Sequence, residues 1–364
     1  MEAIEALQCV VDFAGKAPKA LYYLGNLWYD KRRYPTAIAA WERSSREDET
    51  FPTVWRNLSL AYFNKMNRPD EAVALLEKAF RLDHTDARVL MELDQLYKRL
   101  NRPHIERLCF LEQHIDIVMT RDDLYLEYVT LLNQTGQYRE AIRRIDQRKF
   151  HPWEGGEGKV PAQYQLARLE LAKELINRKK YDDALALIDE CYIYPTHLGE
   201  GKLPGAQEND FNYYKAYILQ QQGRPEEAHS LFVKACSGNS QPAAAMYYND
   251  QKPDKIFYQG LAYRKLGEEE KARSRFNQLI TYGEEHLFDR FKMDYFAVSL
   301  PDLLIWEDDM DKKNRIHCNY LMALGHLGLG NRTKAEHFFD IAASMDNNHQ
   351  GVQIHRKLMN TILS

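Results

Sequence analysis

The chain has 364 residues, 45% of them hydrophobic, and a formal net charge of −4 at pH 7. This supports a continuous core but gives no bulk attraction to nucleic acid or an anionic membrane. No apolar run reaches the roughly 18 residues of a membrane span, and residues 1–20 lack the basic-then-apolar order of a signal peptide.

Residues 1–15 read as an amphipathic helix with Ile4, Leu7 and Val11 on one face. A chain starting in mid-pattern is expected to be a fragment of something longer. A short phrase then recurs: a polar or Gly turn, an aromatic or Pro, charged residues, and Ala. It places alanines at 37, 72, 141, 184, 228, 272 and 335, with a degenerate copy near Glu106. A period of about 34 residues predicts a stack of helical hairpins. In the first, Leu21, Leu24, Gly25 and Trp28 share one face of helix A, and Ala37, Ile38 and Trp41 lie on helix B. Gly25 and Ala37 are small enough for close helix approach, and Trp41 fills the gap. The second hairpin carries Trp55, Leu58, Tyr62 and Ala72. The third has Glu106 where Ala is expected and should pack less tightly.

From Ala141 the alanine steps widen to 43, 44 and 44 residues, and the last is 63. The additional residues form inserted loops. Two of them share an aromatic, His and Pro followed by Glu-Gly and Lys: Phe150-His151-Pro152-Trp153-Glu154-Gly155-Gly156-Glu157-Gly158-Lys159 and Tyr194-Pro195-Thr196-His197-Leu198-Gly199-Glu200-Gly201-Lys202. Another contains Asp294-Tyr295-Phe296 and Leu300-Pro301-Asp302, followed by a solvated acidic run at 307–311. A final helix over 350–363 is expected to cap the last hairpin. The five cysteines, Cys9, Cys109, Cys191, Cys236 and Cys318, fall in helical patterns without close pairs. Core thiols in a reducing, cytoplasmic compartment are expected. No metal-type Cys/His cluster occurs, so no metal or other cofactor is expected.

The repeat positions match the tetratricopeptide repeat (TPR). The expected fold is all-α, a right-handed TPR superhelix (an α-solenoid) of about eight hairpins with elaborated loops and a C-terminal capping helix. It would run as one continuous solenoid through residues 1–149 (N-terminal capping helix and four hairpins), 150–311 (three hairpins with long loops) and 312–364 (last hairpin and cap). Tyr22-Tyr23-Leu24-Gly25-Asn26, Tyr29-Asp30-Lys31-Arg32, the stretch 93–100, the loop 150–159 and the stretch 294–302 further resemble one bacterial family. In that family a large β-rich domain of unknown function precedes a TPR array. The resemblance covers nearly the whole chain. It implies an array without its N-terminal domain, a plausible carbohydrate link, and no catalytic residues to carry over.

Helix A lines the inner groove of such a fold, which places Tyr22, Asn26, Tyr29, Arg56, Gln95, Lys98, Tyr213, Tyr217 and Phe257 there. Clamps for a C-terminal carboxylate use paired Lys and Asn on successive helices. Asn26 fits, but Leu60 breaks the pattern. The groove therefore suits a protein or peptide partner, or the absent N-terminal domain, and the first expectation is a non-catalytic binding scaffold. The alternative is a carbohydrate-binding or carbohydrate-processing module in the inserted loops. There Trp153 would stack on a sugar ring, and His151, Glu154, Glu157, Lys159, His197, Glu200 and Lys202 would supply polar contacts. Each loop also reads as a mere ordered connector. The weakest reading is a hydrolase with paired carboxylates at Asp294 and Asp302.

Overall fold

The structure, a computed structural model, describes residues 2–244, 250–290 and 305–359. Asp294 and Asp302 lie outside the described residues. The chain divides into two compact units: residues 1–124 with 300–307, and residues 125–299 with 308–364. Among the described residues, regular structure is helical, and no helix is long and apolar enough to cross a membrane.

In the first unit, α1 (Glu2–Phe13) covers α2 (Pro18–Asp30), burying Ile4 and Val11. Hairpins follow as α2 with α3 (Tyr34–Glu47), α4 (Pro52–Met66) with α5 (Pro69–Leu82), and α6 (Ala87–Arg99) with α7 (His104–Gln113); then comes a short α8 (Ile115–Val118). The second unit begins within α9 (Asp122–Gln134), which is followed by α10 (Tyr138–Asp146). Its further hairpins are α11 (Lys159–Asn177) with α12 (Tyr181–Cys191), α13 (Asn209–Gln221) with α14 (Pro225–Ala235), α15 (Pro253–Lys265) with α16 (Glu269–His286), and α17 (Met310–Gly328) with α18 (Arg332–Met345). The last helix is α19 (Gln350–Leu358).

One construction repeats at every turn. A single left-handed residue ends helix A: Arg32, Asn67, Asn101, Gly136, Lys179, Gly223, Gly267 or Gly330. Helix B then starts, and its N-cap carbonyl accepts the N–H of the residue four places on. That residue is Ala37, Ala72, Ala141, Ala184, Ala228, Ala272 or Ala335, each at most 2% exposed. A methyl group is all that fits where the helices approach most closely. At Gly25 even a Cβ would come within 2.2 Å of the Trp41 indole nitrogen.

The third hairpin corrects the sequence reading. Its N-cap is Pro103, so the position equivalent to the alanines is Arg107, and Glu106 faces solvent. Arg107 is buried and grips Asp94 of α6 through two hydrogen bonds of 3.0 and 2.6 Å. An ion pair here replaces the methyl contact. The expectation of five core thiols is corrected too: Cys191 and Cys318 are buried, but Cys9 and Cys109 are exposed.

The terminal helix does more than cap. α19 packs on α17 and α18, and its side chains also reach the A helices α11 and α15. The preceding Asn348 carbonyl accepts from Gln134 at 2.8 Å, Gln350 pairs with Gln163 of α11, and Lys357 donates to the Tyr138 hydroxyl at 3.1 Å. His355, buried, lies against Phe257 and Tyr258 of α15, and its Nδ1 is 3.0 Å from the Tyr320 hydroxyl. Nearby sit two buried ion pairs, Lys255–Asp210 and Lys173–Glu170, each at 2.5 Å. Val352, Leu358 and Met359 join the main core of the unit.

Two outcomes test this packing. Lys179 holds a left-handed conformation (φ +58°) on an exposed turn, which costs a side-chain-bearing residue about 1–2 kcal/mol. Lys179→Gly should stabilise the chain by roughly 0.5–1 kcal/mol, whereas Gly136→Ala should destabilise it by about as much. Denaturant midpoints check this, and a loss of stability in Lys179→Gly would contradict it. The second outcome concerns pH. Burial, only partly offset by Asp254, lowers the His355 pKa to about 4. The unfolded chain takes up this proton near pH 6.5 and the folded chain only near 4. The contribution is therefore complete above pH 6.5 and is lost as pH falls from 6.5 to 4. His355→Phe should flatten the acid slope of stability in that window by on the order of 1–3 kcal/mol. Identical slopes for the two proteins would refute the assignment.

Candidate functional site

The A helices of the first unit hold most of the predicted groove residues, and Tyr22, Asn26, Tyr29 and Arg56 among them are already engaged. The Asn26 carboxamide oxygen accepts from Trp41 at 3.1 Å and from Asn57 at 2.8 Å. Tyr22 packs edge-on against Phe51, and Tyr29 lies between Tyr34 and Trp41. Burial pushes the Tyr29 phenol pKa up. Arg56 grips the wholly buried Glu92 through two bonds of 2.5 and 2.6 Å. Gln95 and Lys98 are half-buried on α6.

A segment from far along the chain lies on this face. Trp306, 1% exposed, stacks edge-on against Phe63 with ring centroids 5.2 Å apart. Its indole N–H donates to the Glu92 carbonyl at 3.1 Å. Asn64 clasps the backbone on both sides of the ring: its amide donates to the Ile305 carbonyl at 2.8 Å, and its oxygen accepts the Glu307 N–H at 2.9 Å. Arg99 donates to the Trp306 carbonyl at 3.0 Å and to that of Glu307 at 3.3 Å. The Glu307 carboxylate pairs with Lys65, so this member of the acidic run is docked rather than merely solvated. Phe63, Asn64, Lys65, Arg99 and Trp306 were all missed by the sequence reading. Their partners are more than 200 residues apart, and no local spacing signals such a pairing.

In the second unit two predicted groove residues need correction. Tyr213 and Phe257 are 2% and 0% exposed and belong to the core. Tyr213 turns toward Phe232 of helix α14, and Phe257 meets Phe276 of α16. Tyr217 stays half-buried, with Lys265 above its ring.

The two similar inserted loops of this unit interlock. The Phe150 N–H donates to the His197 carbonyl at 2.8 Å. Gly199 sits so close to Phe150 that a Cβ would lie 2.7 Å from its carbonyl oxygen, which only glycine permits at φ +77°. Glu200 accepts the Gly158 N–H at 2.7 Å, at the positive start of α11. Behind them Arg168 bridges Asp146 and Glu190, and His197 lies 3.8 Å from Asp146. A cleft of about 270 Å³ opens between the loops. Its lining includes His151, Trp153, Glu154, Glu157 and Glu200, with Val160 and Leu198 at its apolar base. Burial, followed by the nearby Glu157, raises the Glu200 pKa. Lys159, His197 and Lys202 do not belong to this lining; Lys202 instead donates to the Tyr192 carbonyl at 3.0 Å and pairs with Glu208.

The sequence profile of the tetratricopeptide repeat matches residues 52–86, the α4–α5 hairpin, and residues 256–282, most of α15 and α16. Among solved structures, YrrB, a TPR protein with an unusual peptide-binding site, is 15% identical over 52% of this chain and 91% of its own, with a TM-score of 0.39. A tetratricopeptide repeat protein from Parabacteroides merdae is 13% identical over 94% of this chain and 99% of its own, with a TM-score of 0.42. The Naa15/Naa10 complex bound to HypK-THB gives 13% identity over 98% of this chain and a TM-score of 0.43; this chain spans 63% of the matched one. Both profile matches fall on hairpins that share one turn, one cap and one small-residue position, so these two hairpins are tetratricopeptide repeats.

Proposed function

We propose that this chain is a non-catalytic scaffold that docks a protein or peptide partner on its A-helix face. The observation that carries the reading is the grip on residues 305–307. The first unit holds a non-helical backbone, bent at Ile305 and Trp306, through the Asn64 carboxamide and the Arg99 guanidinium, with one side chain sunk in a pocket. In peptide recognition main-chain bonds give affinity and a side-chain pocket gives specificity. An array of extended peptides, probed with the intact chain and with Trp306→Ala, tests the reading. A subset should be retained, and Asn64→Ala in the same background should cut retention at least fivefold. An array that stays empty with both proteins would contradict the scaffold.

The interlocked loops favour a second reading, a saccharide site. A half-exposed Trp153 borders a cleft with several carboxyl groups, the combination that stacks on a sugar ring and bonds its hydroxyls. A saccharide panel should raise the melting temperature of the intact chain, and Trp153→Ala should abolish that shift while leaving the unliganded melting nearly unchanged. A mutant that unfolds instead would make the loops structural connectors.

A further inference from the structure

We propose that the pocket occupied by Trp306 is a recognition site for short peptides carrying an aromatic residue followed by an acidic one, with the chain's own 305–307 segment as its resident competitor. The inference deepens the scaffold reading and rests on it.

The contacts divide by what they select. Asn64 bonds the Ile305 carbonyl and the Glu307 N–H, and Arg99 bonds the two carbonyls that follow Ile305. Those groups exist in any peptide backbone, so the bonds fix direction and register without reading sequence. Selection rests with two features. The first is the pocket against Phe63, which closes over an indole and offers the Glu92 carbonyl to its N–H. A phenylalanine would fill the space but leave that carbonyl without its donor, so tryptophan is preferred. The second is Lys65, whose side chain is 20% exposed and which pairs with the Glu307 carboxylate. It favours an acid one residue beyond the ring and opposes a base.

The occupant is suited to displacement. Trp306 is the buried member of the tripeptide; Ile305 is half-buried and Glu307 exposed. A tethered segment competes at an effective concentration on the order of millimolar. A free peptide of the same composition therefore binds the intact chain weakly and the vacated site strongly.

The probe is a fluorophore-labelled peptide of residues 305–309 (Ile-Trp-Glu-Asp-Asp), titrated by anisotropy against the full chain. Trp306→Ala should bind it at least tenfold more tightly than the intact chain. Glu307→Lys, which loosens the strap without opening a cavity, should move binding the same way and guards against misfolding of the first variant. Adding Asn64→Ala to either should weaken binding at least fivefold, and probe peptides with Ala for Trp or Lys for Glu should lose at least tenfold. Equal binding by intact and both strap variants would overturn the proposal, as would indifference to Asn64→Ala. If unrelated array peptides bind through Asn64 while this probe does not, the proposed specificity falls and the scaffold reading stands; if no peptide binds, both fall. A dimer of the intact chain that the free peptide dissociates would assign the pocket to a second copy and overturn the proposal.

Discussion

The closeness of the two helices in each hairpin is the constraint on which the rest of this structure depends. Where helix B passes helix A, there is room for a methyl group and little else, which is why alanine recurs four residues beyond the helix-B cap. The turn must reverse the chain in very few residues, and it does so with one left-handed residue, whether glycine or not. Arg107 shows how the constraint can be met differently. A large side chain is admitted because its guanidinium is fully paired with Asp94 on the facing helix. Removing either partner would leave a buried charge, at a cost of about 3–5 kcal/mol.

Hairpins built this way leave their A helices side by side with one face not covered by helix B. In each unit a remote part of the same chain lies on that face. In the first it is three non-helical residues anchored by Trp306; in the second it is α19, with His355 and Lys357 reaching the A helices and the start of α10. The two coverings differ in kind. α19 joins the apolar core over buried ion pairs, so its removal would expose groups that need it. The strap contributes one buried ring and main-chain bonds that another peptide can reproduce. A docking function follows more readily from the first unit than from the second.

Much of this was legible in the residues. The recurring alanines marked seven of the hairpins, and Gly25 opposite Trp41 marked a close helix approach. The loops at 150–159 and 194–202 were seen to be alike, and in the structure they interlock. What was not legible has physical reasons. Periodicity places Tyr213 and Phe257 on helix A, but it does not show that Tyr213 turns toward Phe232 of helix B or that His355 of α19 covers Phe257, and both rings belong to the core. Glu106 was aligned by sequence distance, whereas the cap at Pro103 moves the register by one and gives the position to Arg107. The strap and the reach of α19 join residues roughly two hundred positions apart, and no local pattern carries that information.

Both coverings can be read together by hydrogen exchange of the intact chain. The account predicts that the Glu307 amide, bonded to Asn64, and the amides of residues 352–358 exchange far more slowly than exposed chain. Asn64→Ala should release the first and leave the second unchanged. Exchange of Glu307 and of α19 at the rate of unstructured peptide would show that neither segment occupies its A-helix face, and the central claim would fail.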